Sequence, residues 1–227
     1  MLVRDWMSKK VVTVDVNTSM QQAIALMMEH NISRLPVMED GKLVGMVTDR
    51  DLRRAAPSDT TVMEVRHILY HLSNIQMGAI MSRSVVTVLP EFTLEEFAEV
   101  LLKHKISGCP VVDREDRMVG IITRQDLLRA IVSVAGLPNK GIQFGFLLED
   151  RPGSTREITD IIRKYGARSM SVVSSYADAP KGYRKTYVRV FDADRTRLDD
   201  LVEELKRTAT MLYMVDPGQG RREVYAS

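Results

Sequence analysis

Four residue types recur in register in this chain. Gly45, Thr48, Asp51 and Leu52 of "GMVTDRDL" return as Gly120, Thr123, Asp126 and Leu127 of "GIITRQDL". A threonine three places before an aspartate can do two kinds of chemistry. As an N-cap, its hydroxyl accepts from the backbone of the third helical residue, while the carboxylate there returns to the cap amide. As a ligand grip, free amides at a helix start receive an anion, and an acidic side chain accepts from ribose hydroxyls. The two roles are compatible.

The surrounding charges differ between the copies. Lys9, Lys10, Arg34, Arg50, Arg53 and Arg54 accompany the first, enough cation to neutralise a polyphosphate. The second has Gly108 for Arg34 and Gln125 for Arg50, and keeps Arg83, Arg124 and Arg129. A solvated helix face is the bland explanation of such an arginine run. The alternative is two clefts of unequal charge.

Other reactive residues point away from catalysis. His67 and His71 stand four apart without the third ligand of a zincin pattern, so they read as helix surface and no metal site is expected. His30 and His104 repeat near expected helix C-termini, where their charge suits the dipole. Cys109, between Gly108 and Pro110 in an apolar run, reads as a packed thiol. P-loop, nucleophile-elbow and paired catalytic carboxylate patterns are missing from the sequence, so the expectation is a non-catalytic protein.

Composition sets wider bounds. The 227 residues are 44% hydrophobic and 27% charged, as in a soluble globular chain. The net charge of +2 and the lack of a helix-turn-helix, zinc-finger or RRM signature argue against nucleic acid. No apolar run approaches a membrane span, and "MLVRDWMSKK" has no signal-peptide core, so no membrane partner is expected. One cysteine fits a reducing, cytoplasmic setting.

The elements that must position these residues form a repeat. Met7-Ser8, "VVTV" (11–14), His30 and "ISRLPV" (32–37) return at an offset of 74 as Met81-Ser82, "VVTV" (85–88), His104 and "ISGCPV" (106–111). Beyond a hairpin loop longer by one residue, the offset becomes 75. Each copy reads as strand, helix, strand, strand, helix. Ser19-x-x-Gln22 and Thr93-x-x-Glu96 open helices with Ile24, Met27 and Met28 on one apolar face and Val100, Leu101 and Leu102 on the other. The closing helices stop at Pro57 and Gly136. The chain divides into repeat 1 (1–60), an amphipathic connecting helix (61–79) carrying Val62, Val65, Ile68, Leu69, Leu72 and Ile75, and repeat 2 (80–135).

A linker (136–141) precedes a different pattern over 142–216. Strand "IQFGFLLE", a turn, a helix with Ile158, Ile161, Ile162 and Tyr165, two strands, a helix with Leu198, Leu201, Val202 and Leu205, and strand "ATMLYMV" give βαββαβ, the ferredoxin-like order. Residues 217–227 read as a frayed tail.

At these motifs the doubled unit resembles a tandem pair of CBS domains, a Bateman module. The segment "LLEDRPGS" with the βαββαβ order resembles an ACT domain, and the combination is similar to AcuB-type bacterial proteins, named for acetoin utilisation. The expected fold is therefore α/β (α+β): two CBS units in a pseudo-twofold pair plus a ferredoxin-like, ACT-like domain, with a second copy in a homodimer as the expected partner.

The CBS resemblance implies an adenosine ligand (AMP, ADP, ATP or S-adenosylmethionine), bound as a regulator and not as a catalytic cofactor. Thr48, Asp51, Thr123 and Asp126 would hold ribose and phosphate. Val12, Thr13, Val14, Ser33, Arg34 and Leu35 would form one adenine cleft with the first pair. Val86, Thr87, Val88, Ser107, Gly108 and Cys109 would form the other with the second, and Lys10, Arg50 and Arg124 would meet phosphate. The ACT resemblance implies an amino-acid effector at the turn of Asp150, Gly153 and Ser154, although Thr155 stands where that family often has an aliphatic residue. The rival from another class is a scaffolding adaptor with empty clefts, or an accessory subunit of an enzyme in acetoin or amino-acid metabolism.

Overall fold

Ser19 and Thr93 start helices in the computed structural model as their spacing predicts: each hydroxyl accepts from the amide three residues on, and Gln22 or Glu96 returns the bond. The structure describes residues 1–56, 65–137 and 141–225. They fall into two compact units, Met1–Leu127 and Leu128–Ser227.

In the first repeat β1 (Val14–Asp15), α1 (Met20–Glu29), β2 (Arg34–Glu39), β3 (Lys42–Thr48) and α2 (Asp49–Ala55) follow in order, with β1 parallel and β3 antiparallel to β2. Then come α3 (Val65–Asn74) and α4 (Met77–Ile80). The second repeat contains α5 (Leu94–His104), the β4 (Gly108–Val112)–β5 (Met118–Thr123) hairpin and α6 (Arg124–Val134). A core of Met20, Ala23, Met27, Leu35, Val37, Val47 and Leu52 holds the first repeat together.

The repeats meet reciprocally. Ser8 bridges Ile121, and its equivalent Ser82 bridges Met46, the equivalent of Ile121. A Cβ on Gly45 would lie 2.3 Å from Met81 Sδ, and one on Gly120 would lie 2.7 Å from Met7 Sδ. The glycine that opens each recurring segment is thus the seat of a methionine from the other repeat. This reciprocity is the pseudo-twofold pairing expected of two copies.

Several expectations change. Of the two "VVTV" runs, Val14 alone enters a strand, and Val88 makes a single parallel bridge to Val111; residues 85–86 instead face a cavity described below. Met28 and Leu102, expected on apolar faces, are both 78% exposed, because Met20, Ala23 and Met27, and Leu94, Phe97 and Leu101, take the buried stripes. The connecting helix is two helices. It breaks at Ile75-Gln76, where Ile75 accepts from Met20 N–H and Gln76 bridges Ser19, so the backbone there serves the start of α1. Val62 and Pro57 lie outside the described residues, as do the side chains of Val65, His67, Ile68 and Leu69.

In the second unit β6 (Ile142–Glu149), α7 (Ser154–Lys164), β7 (Arg168–Ser175), β8 (Tyr183–Phe191), α8 (Leu198–Thr208), β9 (Thr210–Asp216) and β10 (Arg221–Val224) build an antiparallel sheet in the order β10-β9-β6-β8-β7. Its first six elements have the βαββαβ topology. Phe144, Phe146, Val188, Val190 and Met214 pack on Ile158, Ile162, Leu198, Leu201, Val202 and Leu205. Those four α8 residues and Ile158 and Ile162 are the helical stripes legible in the sequence.

The tail is not frayed over 221–224. Buried Asp216 accepts from Arg195 Nε (3.0 Å) and from Gly218 N–H (2.9 Å), fixing the turn that folds β10 back onto β9. The Arg195 hydrogen bond holds the Asp216 carboxyl below its usual range. The division between the units falls within α6, earlier than the expected 136–141 linker. Beyond it, Ala135 C=O accepts from Ser171 Oγ (3.4 Å), and Gly136 leaves room for Met170. Among the described residues no helix is long and apolar enough to cross a membrane.

Candidate functional site

The strand-to-helix turns at 48–51 and 123–126 are built alike. Thr48 N–H and Oγ1–H both donate to Asp51 Oδ2 (2.9 and 2.6 Å), and Asp51 N–H donates to Thr48 Oγ1 (3.4 Å). Thr123 and Asp126 repeat these bonds at 2.8, 2.6 and 3.4 Å. The capping reading therefore holds in both copies.

The two turns differ in what they face. Thr48 and Asp51 line a cavity of about 700 Å³ in the first unit, within the size range of small-molecule sites. Their mutual bonds use Asp51 Oδ2. Asp126 is 3% exposed, whereas Asp51 is partly exposed.

The cavity crosses the repeats. Thr48, Asp49, Arg50, Asp51 and Arg54 come from the first, and Val85, Val86, Ser107, Gly108, Cys109 and Pro110 from the second. The expected partition by repeat is therefore corrected. Val12, Thr13, Val14 and Leu35 do not share this cavity with Thr48, and Val14 and Leu35 are core residues. Val86, Ser107, Gly108 and Cys109 join Thr48 and not Thr123, while Thr87 and Val88 are outside the lining and Val88 is buried. The reason is the pseudo-twofold packing, which sets the β3–α2 turn of the first repeat against residues 85–86 and 107–110 of the second.

Electrostatically the cavity is cationic. Arg34, Arg50, Arg54, Lys105 and Arg124 line it, against the two carboxylates of Asp49 and Asp51. Ser33 also lines it, but Lys10 does not. Arg34 reaches from the first repeat to donate to Ser107 Oγ of the second (2.5 Å). Burial lowers the pKa of its guanidinium, with Cys109, Asp49 and Asp126 opposing that shift. Burial also pushes the Cys109 thiol up to about 12, although Arg34 pulls the other way. The thiol is thus a packed, protonated group.

The second unit has its own recess of about 660 Å³, lined by Asp150, Arg151, Gly153, Thr155, Arg156, Thr159 and Arg184 among others. Gly153 adopts φ +91°, a conformation suited to glycine, at the entry to α7. Ser154, 4% exposed, donates to Arg151 C=O (3.1 Å) and accepts from Arg184 Nη2 (3.0 Å). Arg184 also donates to Asp150 Oδ1 and to Thr155 Oγ1 (3.0 and 2.9 Å). Sequence reasoning missed Arg184, which lies 34 residues from Asp150 and is brought there by the pairing of β8 with β6.

A CBS-domain family model matches residues 3–58 and 77–133. A CBS domain-containing protein of Dictyostelium discoideum is 34% identical over 134 residues, covering 59% of this chain and 92% of that protein. The chain is a CBS-domain protein. Its CBS pair is similar in structure to CBSX2 of Arabidopsis thaliana, with 30% identity and a TM-score of 0.51 over 59% of this chain and 95% of that one. It is also similar to a Vibrio cholerae protein named for acetoin utilization (AcuB), with 29% identity and a TM-score of 0.51 over 61% and 95% of the two chains. These likenesses concern the CBS pair.

Proposed function

We propose that the protein is a non-catalytic sensor whose CBS pair binds an adenosine-containing ligand: AMP, ADP, ATP or S-adenosylmethionine. The observation that carries this reading is the convergence of Thr48 and Asp51 with five cationic side chains and the apolar Val85–Val86 segment on one cavity. An adenine ring needs apolar walls and a few polar edge contacts. The Val85, Val86, Ile106 and Pro110 side of the cavity offers the walls. In this reading Asp51 Oδ1 accepts from ribose hydroxyls while Oδ2 holds the cap. Arg34, Arg50, Arg54, Lys105 and Arg124 favour the phosphates of a nucleotide over the sulfonium of S-adenosylmethionine.

The βαββαβ unit acts in this reading as an ACT-like dimerisation or effector domain of a cytoplasmic homodimer. Its Asp150–Gly153 turn and Arg184 suit the carboxylate of an amino acid. Ligand in the CBS pair biases that unit by binding two conformations with different affinity, and the coupling is reciprocal.

A thermal-shift panel tests the sensor reading. At a hundred times its dissociation constant, a ligand of the native state adds about 2.7 kcal/mol, or about 5–10 °C for a chain of this size. At least one adenine nucleotide is expected to give that shift. Silence across AMP, ADP, ATP and S-adenosylmethionine would leave the scaffolding reading, with an empty cleft.

A further inference from the structure

Arg34 and Gly108 occupy the same place in the two repeats, and in the fold they meet. Arg34 lies in "ISRLPV" and Gly108 in "ISGCPV", 74 residues apart. A Cβ built on Gly108 would stand 2.5 Å from Arg34 Nη1, 2.7 Å from Ile122 C=O and 2.9 Å from Thr123 Cα. The β5 backbone itself excludes a side chain at 108, and the tip of Arg34 from the first repeat lies beside the space this leaves. The asymmetry between the repeats is thus a packing requirement as well as a difference in charge.

The guanidinium continues into the second repeat. It donates to Ser107 Oγ at 2.5 Å, and it stands within electrostatic reach of Cys109, Arg124 and Asp126. Asp126 and Cys109 are 3% and 1% exposed. Its counterpart Asp51 lines the open cavity. The long side chain therefore stands on the boundary between the two turns.

We propose that Arg34 closes the Thr123–Asp126 half of the pair, so that the pair takes one adenosine nucleotide, at Thr48–Asp51. This rests on the adenosine reading of the cavity and adds the number of sites and the residue that sets it. Arg34 is a positioning residue in this sense: it fills the second half by its bulk, and the same guanidinium presents charge to the first. Replacing it with the glycine of the other repeat makes the halves alike.

The test uses the full-length chain, with AMP as the titrant, in wild type, Arg34→Gly and Arg34→Met. Calorimetry is expected to give one AMP per chain in wild type and in Arg34→Met, which keeps the bulk, and two in Arg34→Gly. Affinity is not the readout, since Arg34 borders the first half as well. Cys109 is the chain's one cysteine, so its labelling by a thiol reagent reports on the same crossing without any ligand. Its rate is expected to rise about tenfold or more in Arg34→Gly, as a local opening cost is removed, and to stay low in Arg34→Met. Two AMP per chain in wild type, or one in Arg34→Gly with unchanged labelling, overturns the inference and leaves the adenosine reading standing. No AMP binding in wild type counts against that reading instead, and the labelling rates still decide whether Arg34 covers the crossing at Gly108.

Discussion

Asp51→Ala is expected to weaken AMP binding by about ten- to a hundredfold, the loss of a hydrogen bond to a charged group worth about 1.5–3 kcal/mol. The same change removes half of the box that starts α2, costing about 1 kcal/mol of stability. Asp126→Ala separates the two effects. It breaks an equivalent box at Thr123, yet it removes a carboxylate that is 3% exposed and does not border the cavity. Titration of both variants with AMP is therefore expected to show lost affinity for Asp51→Ala and wild-type affinity for Asp126→Ala. Equal affinities in the two variants would mean that the Thr-Asp turn is a cap and nothing else.

Phe144→Ala is expected to destabilise the second unit by about 3–5 kcal/mol, the range for deleting a buried aromatic side chain. Phe144 is fully buried on β6, the strand that pairs with both β8 and β9. Its ring lies 6.2 Å from that of Phe146, within the distance of favourable aromatic pairs. Removing it opens a cavity facing both helices, and a close-packed core relaxes only in part. The chain's one tryptophan, Trp6, belongs to the first unit, so its fluorescence follows that unit alone. In urea, the variant should lose part of its circular dichroism at lower denaturant while the Trp6 transition stays in place. Coincident movement of both signals would show that the chain unfolds as one cooperative body and that the division at Leu127 has no energetic meaning.

Local features were legible in the residues. Ser19-x-x-Gln22 and Thr93-x-x-Glu96 are boxes because cap and partner lie three residues apart. The stripes Ile158–Ile162 and Leu198–Leu205 are buried because their period matches a helix. The doubled hairpins could likewise be read from the apolar runs "LPVM" and "CPVV" and from the turn residues at Gly41-Lys42 and Asp116-Arg117. What could not be read depends on long-range packing. The lining of the cleft does not follow the repeats, because the pseudo-twofold sets Thr48 against Val86 and Ser107.

Gly45 and Gly120 looked like parts of a strand, and their purpose appears when Met81 and Met7 arrive from the other repeat. The break at Ile75-Gln76 coincides with a backbone bond from Met20, more than fifty residues earlier. The strand at 221–224 depends on buried Asp216 and Arg195, a pairing that charge spacing in a polar tail does not announce. Arg184 was invisible for the same reason, since register across a sheet brings it to Asp150.

The most direct measurement is a crystal structure of the full chain grown with AMP. One nucleotide per chain is expected, with ribose oxygens in hydrogen-bond reach of Asp51, the base against Val85 and Val86, and the phosphate among Arg34, Arg50 and Arg124. A nucleotide seated at Asp126, or outside the cavity between the repeats, would contradict it.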